Sequence, residues 1–385
     1  MKRAYLDNAA STPIRKEVLK VMIKTLKYSL GNPSSIQHSY GREARSIIEE
    51  SRICIANKIK ASPSEIIFTS GGTEANNLVL RSSILDLEIK YIITSQLEHP
   101  SVLQTILDLS NKYKISVDFI SNDKKGILDL NNMEKMLKQN KHQKTLVSLM
   151  YANNEIGNLL EVDKVIFLCK KYNAYFHSDT IQIIGNFPID MQKLSFDFAT
   201  ASGHKFYGPK GVGFAFIRKD ILKYMKPFMI GGVQEFGIRS GTENVHGIAG
   251  LSEAIRLAYS NSNFSSYMNK MQDLKSYCIL KLKKIVPNII FNGLSSSFER
   301  SIPSILNFLY PTKKDHLLYF HLDLMGVAVS QGSSCTSQKK ISHVIQSITD
   351  KYLLNKTMPI RISFGIFNEK KDVDLLVEAL QKIRK

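Results

Sequence analysis

Short apolar runs alternate with longer amphipathic stretches along most of this chain. Residues 65–69, 91–94, 145–150, 174–177, 196–201 and 213–217 are compact apolar runs of strand length. Most end in polar or glycine-containing turns: Ser70-Gly71-Gly72-Thr73, Glu98-His99-Pro100, Asn153-Asn154-Glu155, Ser178-Asp179-Thr180 and Ser202-Gly203-His204-Lys205. Elsewhere apolar residues recur at helical spacing, as at Val18, Val21, Met22 and Leu26 within 17–30, and at Ile47, Ile48, Ile55 and Ile59 within 42–60. Strands alternating with helices predict a mainly parallel sheet covered by helices on both faces. In such sheets ligands bind beyond the carboxyl ends of the strands. Thr73, His99, Asn154, Asp179, Gln182, His204 and Lys205 all fall there.

A long helix is expected at 244–259, and the polar run Ser260-Asn261-Ser262-Asn263 marks a boundary after it. Beyond it, a helix at 267–285, strands at 304–308 and 360–364 and a terminal helix at 372–383 predict a smaller α+β unit. The expected division is a large α/β domain over 15–260 and a small α+β domain formed by 1–14 and 261–385.

Composition narrows the class. The chain has 385 residues, 43% hydrophobic and 22% charged, which supports a sizeable core. No run of roughly 18 apolar residues predicts a membrane helix. The first residues lack the apolar region of a signal peptide, so a cytoplasmic protein is expected. The formal net charge of +18 would suit nucleic acid or an acidic protein partner. The basic residues are spread along the chain, however, with no aromatic-interleaved stripe, so direct nucleic-acid binding is not expected. Four cysteines, Cys54, Cys169, Cys278 and Cys335, are widely spaced, with no pattern of a disulfide framework or metal site. Three lie in helical or apolar contexts. Cys335 differs, in the small polar run Gly332-Ser333-Ser334-Cys335-Thr336-Ser337.

Each turn offers a chemical reading and a plainer one. Ser70-Gly71-Gly72-Thr73 between a strand and a helix suits one small phosphate at a helix N-terminus, or is an ordinary turn. Neither dinucleotide nor P-loop spacing is present. Asp179 at a strand end can pair with a protonated ring nitrogen, or can cap a helix. His99 can stack on a ring and shuttle protons, or can serve only the start of its helix. Lys205 at the tip of a buried strand can form a Schiff base with an aldehyde cofactor, or can be a surface lysine in a turn.

Taken together, in this chain order, these residues match a pyridoxal-phosphate (PLP) enzyme of fold type I. Thr69-Ser70-Gly71-Gly72-Thr73-Glu74-Ala75-Asn76-Asn77, Asn153-Asn154-Glu155-Ile156-Gly157, Ser202-Gly203-His204-Lys205-Phe206-Tyr207-Gly208-Pro209-Lys210-Gly211, Arg239-Ser240-Gly241-Thr242 and the run around Cys335 resemble the signatures of cysteine desulfurases of the NifS/IscS type, within the class-V aminotransferases. The resemblance extends from Tyr5-Leu6-Asp7-Asn8 to Arg361-Ile362-Ser363-Phe364. It implies a fold-type-I transferase with a seven-stranded type of sheet, and a homodimer.

The resemblance also implies roles. Lys205 would carry PLP. Gly72, Thr73, Ser202 and His204 would hold its phosphate, with Thr242 reaching over from a second subunit. Asp179 would bind the pyridine nitrogen, Gln182 the ring hydroxyl, and His99 would cover the ring and handle protons. Asn154, also at the cofactor, and Arg361 would grip the carboxylate of the substrate, L-cysteine. Cys335 would be the nucleophile that takes the sulfur as a persulfide, and a transient ligand of a nascent iron–sulfur cluster; no resident metal is implied. An iron–sulfur scaffold protein and tRNA-thiolation acceptors would receive the sulfur. The rival readings are an aminotransferase or selenocysteine lyase of the same fold, and a non-catalytic sulfur-relay protein. Thr180 and Phe236 depart from the family pattern, which favours alanine and arginine there.

Overall fold

The computed structural model describes residues 3–312, 317–332 and 341–384, with side chains left out at 261–263 and 384. Cys335 therefore lies outside the described residues. The described strands are β1 (Ala4–Tyr5), β2 (Ile66–Thr69), β3 (Tyr91–Ser95), β4 (Ser116–Ile120), β5 (Thr145–Ser148), β6 (Tyr175–Asp179), β7 (Phe198–Ser202), β8 (Gly213–Ile217), β9 (Ile290–Phe291), β10 (Ile305–Pro311), β11 (Val327–Ala328) and β12 (Thr357–Ser363).

Seven of them form the central sheet in the order β2-β8-β7-β6-β5-β3-β4. Only β8 runs against its neighbours; the other pairings are parallel. The apolar runs become strands covered on both faces. Ile66, Phe68, Ile93, Val147 and Phe176 join the core on one face, and Ile67, Ile92, Leu146, Phe198 and Ile217 the core on the other. No strand is expected at β4 from the apolar pattern. Its exposed and half-buried alternation, Ser116-Val117-Asp118-Phe119, is that of an edge strand.

The reversal at β8 positions the lysine. The chain leaves β7 at Ser202, makes a short 3-10 turn over Gly203–Lys205, and returns antiparallel as β8. The Gly203 N–H donates to the Val212 carbonyl at 3.0 Å, so the base of this connection is closed. Lys205 thus sits at the carboxyl end of a central strand, on a short connection tied at both sides.

A separate core takes Ala4 and Leu6 from the N-terminus together with Met271, Leu274, Phe308, Ile360, Val373 and Leu380. It surrounds the antiparallel sheet β12-β10-β9. The polar run expected as a boundary opens a helix: one helix ends at Ala258, and Ser260 stands at the N-cap of the next, Asn261–Ile285. Among the described residues no helix is long and apolar enough to cross a membrane.

One buried ion pair fixes the segment that leads to Arg239 and Thr242. Arg52 donates both Nη groups to the Glu235 carboxylate, at 2.9 and 2.8 Å, and Glu235 also accepts the Phe68 N–H at 2.7 Å. The guanidinium lies 4.7 Å from the Phe68 ring centroid and 5.0 Å from that of Phe236. Phe236, the departure from the family pattern, thus packs on a cation rather than supplying one. Glu235 and Phe236 both adopt left-handed backbone, at φ +46° and +58°. Removing the carboxylate would leave the buried Arg52 with only the half-exposed Glu49, at Nε, as a counter-charge. Glu235→Ala is expected to cost about 3–5 kcal/mol of stability, read from the urea midpoint; a loss below about 1 kcal/mol would show that other contacts hold this segment.

Candidate active site

Beyond the carboxyl ends of the parallel strands lies a cleft of about 160 Å³ lined by residues of several elements. Gly72 and Thr73 follow β2, His99 follows β3, and Asn154 follows β5. Asp179 ends β6, Gln182 comes just after it, Ser202 ends β7, and His204 and Lys205 follow. Arg361 enters from β12, and Ala9 and Ala10 from the N-terminal segment. Thr242 does not line this cleft; it lies in another recess with Phe68, Glu235, Arg239 and Glu243.

The Lys205 amine donates to the carbonyls of Ala9 and Ala10, at 2.6 and 3.0 Å. Asp179 is 5% exposed and held at both oxygens: Oδ1 accepts the Ile181 N–H at 3.0 Å and Oδ2 accepts Asn76 Nδ2 at 2.9 Å. Asn76 is itself held by Thr200 Oγ1 at 2.9 Å and donates to Ser101 Oγ. Asp179 therefore forms a turn rather than capping a helix, and is also aimed by its neighbours. Gln182 donates to the Ala9 carbonyl at 3.1 Å.

His99 caps the helix Pro100–Tyr113, its Nδ1 accepting the Ser101 N–H at 3.1 Å. That bond leaves Nε2 to carry the ring proton in the neutral form. Burial, with the positive charges of Lys205 and His343, holds the imidazole below its ordinary pKa, and Asp179 opposes them. Burial and the two nearby lysines, Lys205 and Lys210, push His204 down to about 4.

The helix Gly72–Leu85 starts against the turn that follows β6. A Cβ on Gly72 would lie 2.2 Å from Ile181 Cδ1, so a larger residue would have to push the Ile181 side chain aside. The first N–H groups of a helix have no partner within it, and they favour an anion. An anion-binding helix start, a hydroxyl-bearing Ser202, a buried carboxylate at Asp179 and an amine at Lys205 fit a phosphate, a cationic ring nitrogen and an aldehyde in one group. PLP has these three features.

Arg361 is 1% exposed, and its guanidinium is already engaged. Nη2 donates to Asp7 Oδ1 at 2.7 Å and Nη1 to the Asn154 carbonyl at 2.8 Å, while Nε has no partner among the described residues. A carboxylate approaching Arg361 meets a cation oriented, and partly neutralised, by Asp7. Sequence reasoning gave no role to Asp7 or Asn76, although both lie inside the resembling motifs. Asn76 could have been found from its place one turn after Gly72-Thr73. Thr180 does not crowd the cleft: its hydroxyl donates to the Thr200 carbonyl at 2.8 Å and accepts the Thr200 N–H. Cys169 and Cys278 are buried, and burial pushes both thiols far up, so neither is a reactive thiolate.

A doubly wound sheet with a lysine, an aspartate and an anion-binding turn at its carboxyl edge defines a fold-type-I PLP enzyme. The aminotransferase class-V family model matches residues 4–376. Cysteine desulfurase IscS of Dictyoglomus turgidum is 39% identical over 387 residues, covering 100% of this chain and 95% of that protein. The solved structure of a NifS-like protein superposes with a TM-score of 0.88 at 34% identity, covering 100% of this chain and 99% of that one. A second NifS-like structure, from Rickettsia africae, gives 0.85 at 33% identity with the same coverage. The chain belongs to the class-V aminotransferase family and, within it, to the cysteine desulfurases.

Proposed function

We propose that this protein removes sulfur from L-cysteine, releasing L-alanine and keeping the sulfur as a persulfide on Cys335. The convergence of Lys205, Asp179, the Gly72-Thr73 helix start and Arg361 on one cleft carries this reading. In the balanced reaction, L-cysteine and the Cys335 thiol give L-alanine and the Cys335 persulfide. The substrate carbon–sulfur bond breaks, a sulfur–sulfur bond forms, and carbon is reduced as sulfur is oxidised.

Lys205 would carry PLP and Asp179 would keep the ring nitrogen charged; Gly72, Thr73, Ser202 and His204 would hold the phosphate, and Gln182 the ring hydroxyl. Bound there, the cofactor supplies an electron sink for the bond to the substrate α-hydrogen. The protein does the rest. Arg361, aimed by Asp7, and Asn154 orient the substrate carboxylate. His99, neutral near pH 7 and held by Ser101, moves protons at its Nε2. Cys335 acts as a thiolate.

The reading extends to a homodimer. Ile230 and Val233 are 91% and 87% exposed, and Leu19, Ile23 and Leu26 are exposed too. Such residues suit a subunit contact. Thr242, which lies outside this chain's own cleft, would complete the partner's phosphate site. The two-domain division at 15–260, with 1–14 joining 261–385, a cytoplasmic location, and delivery of sulfur to an iron–sulfur scaffold or tRNA-thiolation acceptors belong to the same proposal.

The test is direct. Purified protein given L-cysteine and a thiol reductant is expected to release alanine and sulfide in equal amounts and to absorb visible light through its lysine-bound cofactor. A keto acid without sulfide would point to the aminotransferase reading, and a colourless inactive protein to a non-catalytic relay.

A further inference from the structure

The stretch containing Cys335 is bounded by two well-packed posts, and both rest on the site. On the first side the chain leaves β11, and Ser330 pairs with Arg361: the Arg361 N–H donates to the Ser330 carbonyl at 2.8 Å and the Ser330 N–H to the Arg361 carbonyl at 3.2 Å. Ser330 Oγ then donates to the Gly332 carbonyl at 3.1 Å. Gly332 lies hard against Glu155, where a Cβ would sit 2.6 Å from Glu155 Oε2. The same Cβ would be 3.3 Å from Ser342 Cβ, so the two ends of the stretch lie side by side. Glu155 is 1% exposed and fixed at its backbone: its N–H donates to Asn153 Oδ1 at 2.9 Å and its carbonyl accepts Asn307 Nδ2 at 3.0 Å.

On the second side Ser342 accepts the Val344 N–H at 3.1 Å and starts the helix His343–Ile348. Val344, Ile345 and Ile348 of that helix share an apolar cluster with Leu97 and Ile156. His343 Nε2 lies 3.0 Å from the Glu98 carbonyl oxygen, an atom that only accepts, so Nε2 donates. Glu98 Oε1 in turn accepts the Met150 N–H at 2.7 Å. One post therefore adjoins the residue after Asn154, and the other is bonded to the residue before His99.

We propose that Glu155 with Gly332, and His343 with the Glu98 carbonyl, are positioning pairs that set where the Cys335 thiol meets the substrate. None of the four lines the cleft. They register the two ends of the thiol-bearing stretch against the same peptides that carry Asn154 and His99. A thiol must approach the substrate sulfur in line, and a displacement of an ångström at a reacting atom can cost roughly 10²-fold in rate. The inference rests on the reading of Cys335 as the sulfur acceptor.

The experiment separates sulfur transfer from the earlier proton chemistry. Exchange of the α-hydrogen of L-alanine for deuterium in D₂O, followed by NMR, needs Lys205, His99 and the cofactor but no thiol. In the holoenzyme, Gly332→Ala and His343→Ala are each expected to lower kcat for sulfide release about tenfold or more. KM for L-cysteine and the alanine exchange rate should stay within about twofold of wild type. His343→Gln, whose amide can still donate to the Glu98 carbonyl, should recover most of the loss. Exchange falling in parallel with sulfide release would overturn the proposal, because the posts would then act on the whole site. So would unchanged sulfide release in both alanine variants, or loss of bound cofactor in both. If one variant loses the cofactor, the other decides. Failure of the underlying reading looks different: Cys335→Ala would then release sulfide as fast as wild type.

Discussion

Lys205→Ala is expected to lower turnover of L-cysteine by roughly 10³-fold or more, with loss of the visible absorption of lysine-bound cofactor. The structure gives three reasons for so large an effect. The amine enters the cleft from a connection whose base is closed by the Gly203–Val212 bond, which fixes where it enters. It is aimed by the carbonyls of Ala9 and Ala10, which alanine would leave without this donor. Lys210, five residues further along, is outside the cleft. The measurement is steady-state alanine release together with an absorption spectrum of the purified variant. Retention of more than a tenth of wild-type turnover would remove Lys205 as the cofactor anchor. Arginine at 205 should fail as completely as alanine, since a guanidinium keeps the charge and cannot condense with an aldehyde.

Cys335→Ser is expected to reduce sulfide release by a comparable roughly 10³-fold, but with a different signature. A hydroxyl at this position neither ionises near neutral pH nor accepts sulfur as a persulfide. Nothing among the described residues can replace it. Cys169 and Cys278 are buried with their thiols pushed up, and Cys54 is half-buried in the helix Ser39–Ile59. The cofactor spectrum and the exchange of the alanine α-hydrogen should be intact. Mass spectrometry of the wild-type protein after L-cysteine should place one added sulfur on the peptide containing Cys335. Sulfur added to another cysteine, with full activity in Cys335→Ser, would reassign the acceptor.

What could be read from the sequence follows what burial does to a pattern. The apolar strands are legible because both faces of Ile66–Thr69 or Phe198–Ser202 are covered, which demands continuous apolar runs. The edge strand Ser116–Ile120 escaped because one side meets water, and its alternating residues look like any polar connection. The helix Asn261–Ile285 begins in residues that read as a linker, since serine and asparagine favour both turns and helix starts. The direction of β8 was not legible, because an apolar run carries no sign of which way its neighbour points.

The site divides in the same way. Lys205, Asp179, His99 and the Gly72-Thr73 turn stand out because polar residues at the ends of buried strands are unusual. Asp7 and Asn76 did not, because their roles are relational. Each acts by holding a residue more than 100 positions away, Arg361 for one and Asp179 for the other. Thr180 is bulkier than the alanine of the family pattern, a tolerable departure. Its hydroxyl is absorbed by β7, a contact that depends on strand order rather than on local sequence.

The bond from Asp7 to Arg361 spans 354 positions, and that from Lys205 to Ala9 spans 196. β2 must likewise wait for β8, pairing Ile66 with Phe216. The cleft is thus a late product of synthesis. While the chain is still emerging from the ribosome, Lys205 can find its N-terminal acceptors, but Arg361, proposed to receive the substrate carboxylate, comes only with β12. Non-local contacts of this kind form slowly and leave partly paired strands exposed on the way. A nascent chain would therefore hold Lys205 and its N-terminal acceptors well before Arg361 is made, so the two sides of the cleft become available in the order of the chain itself.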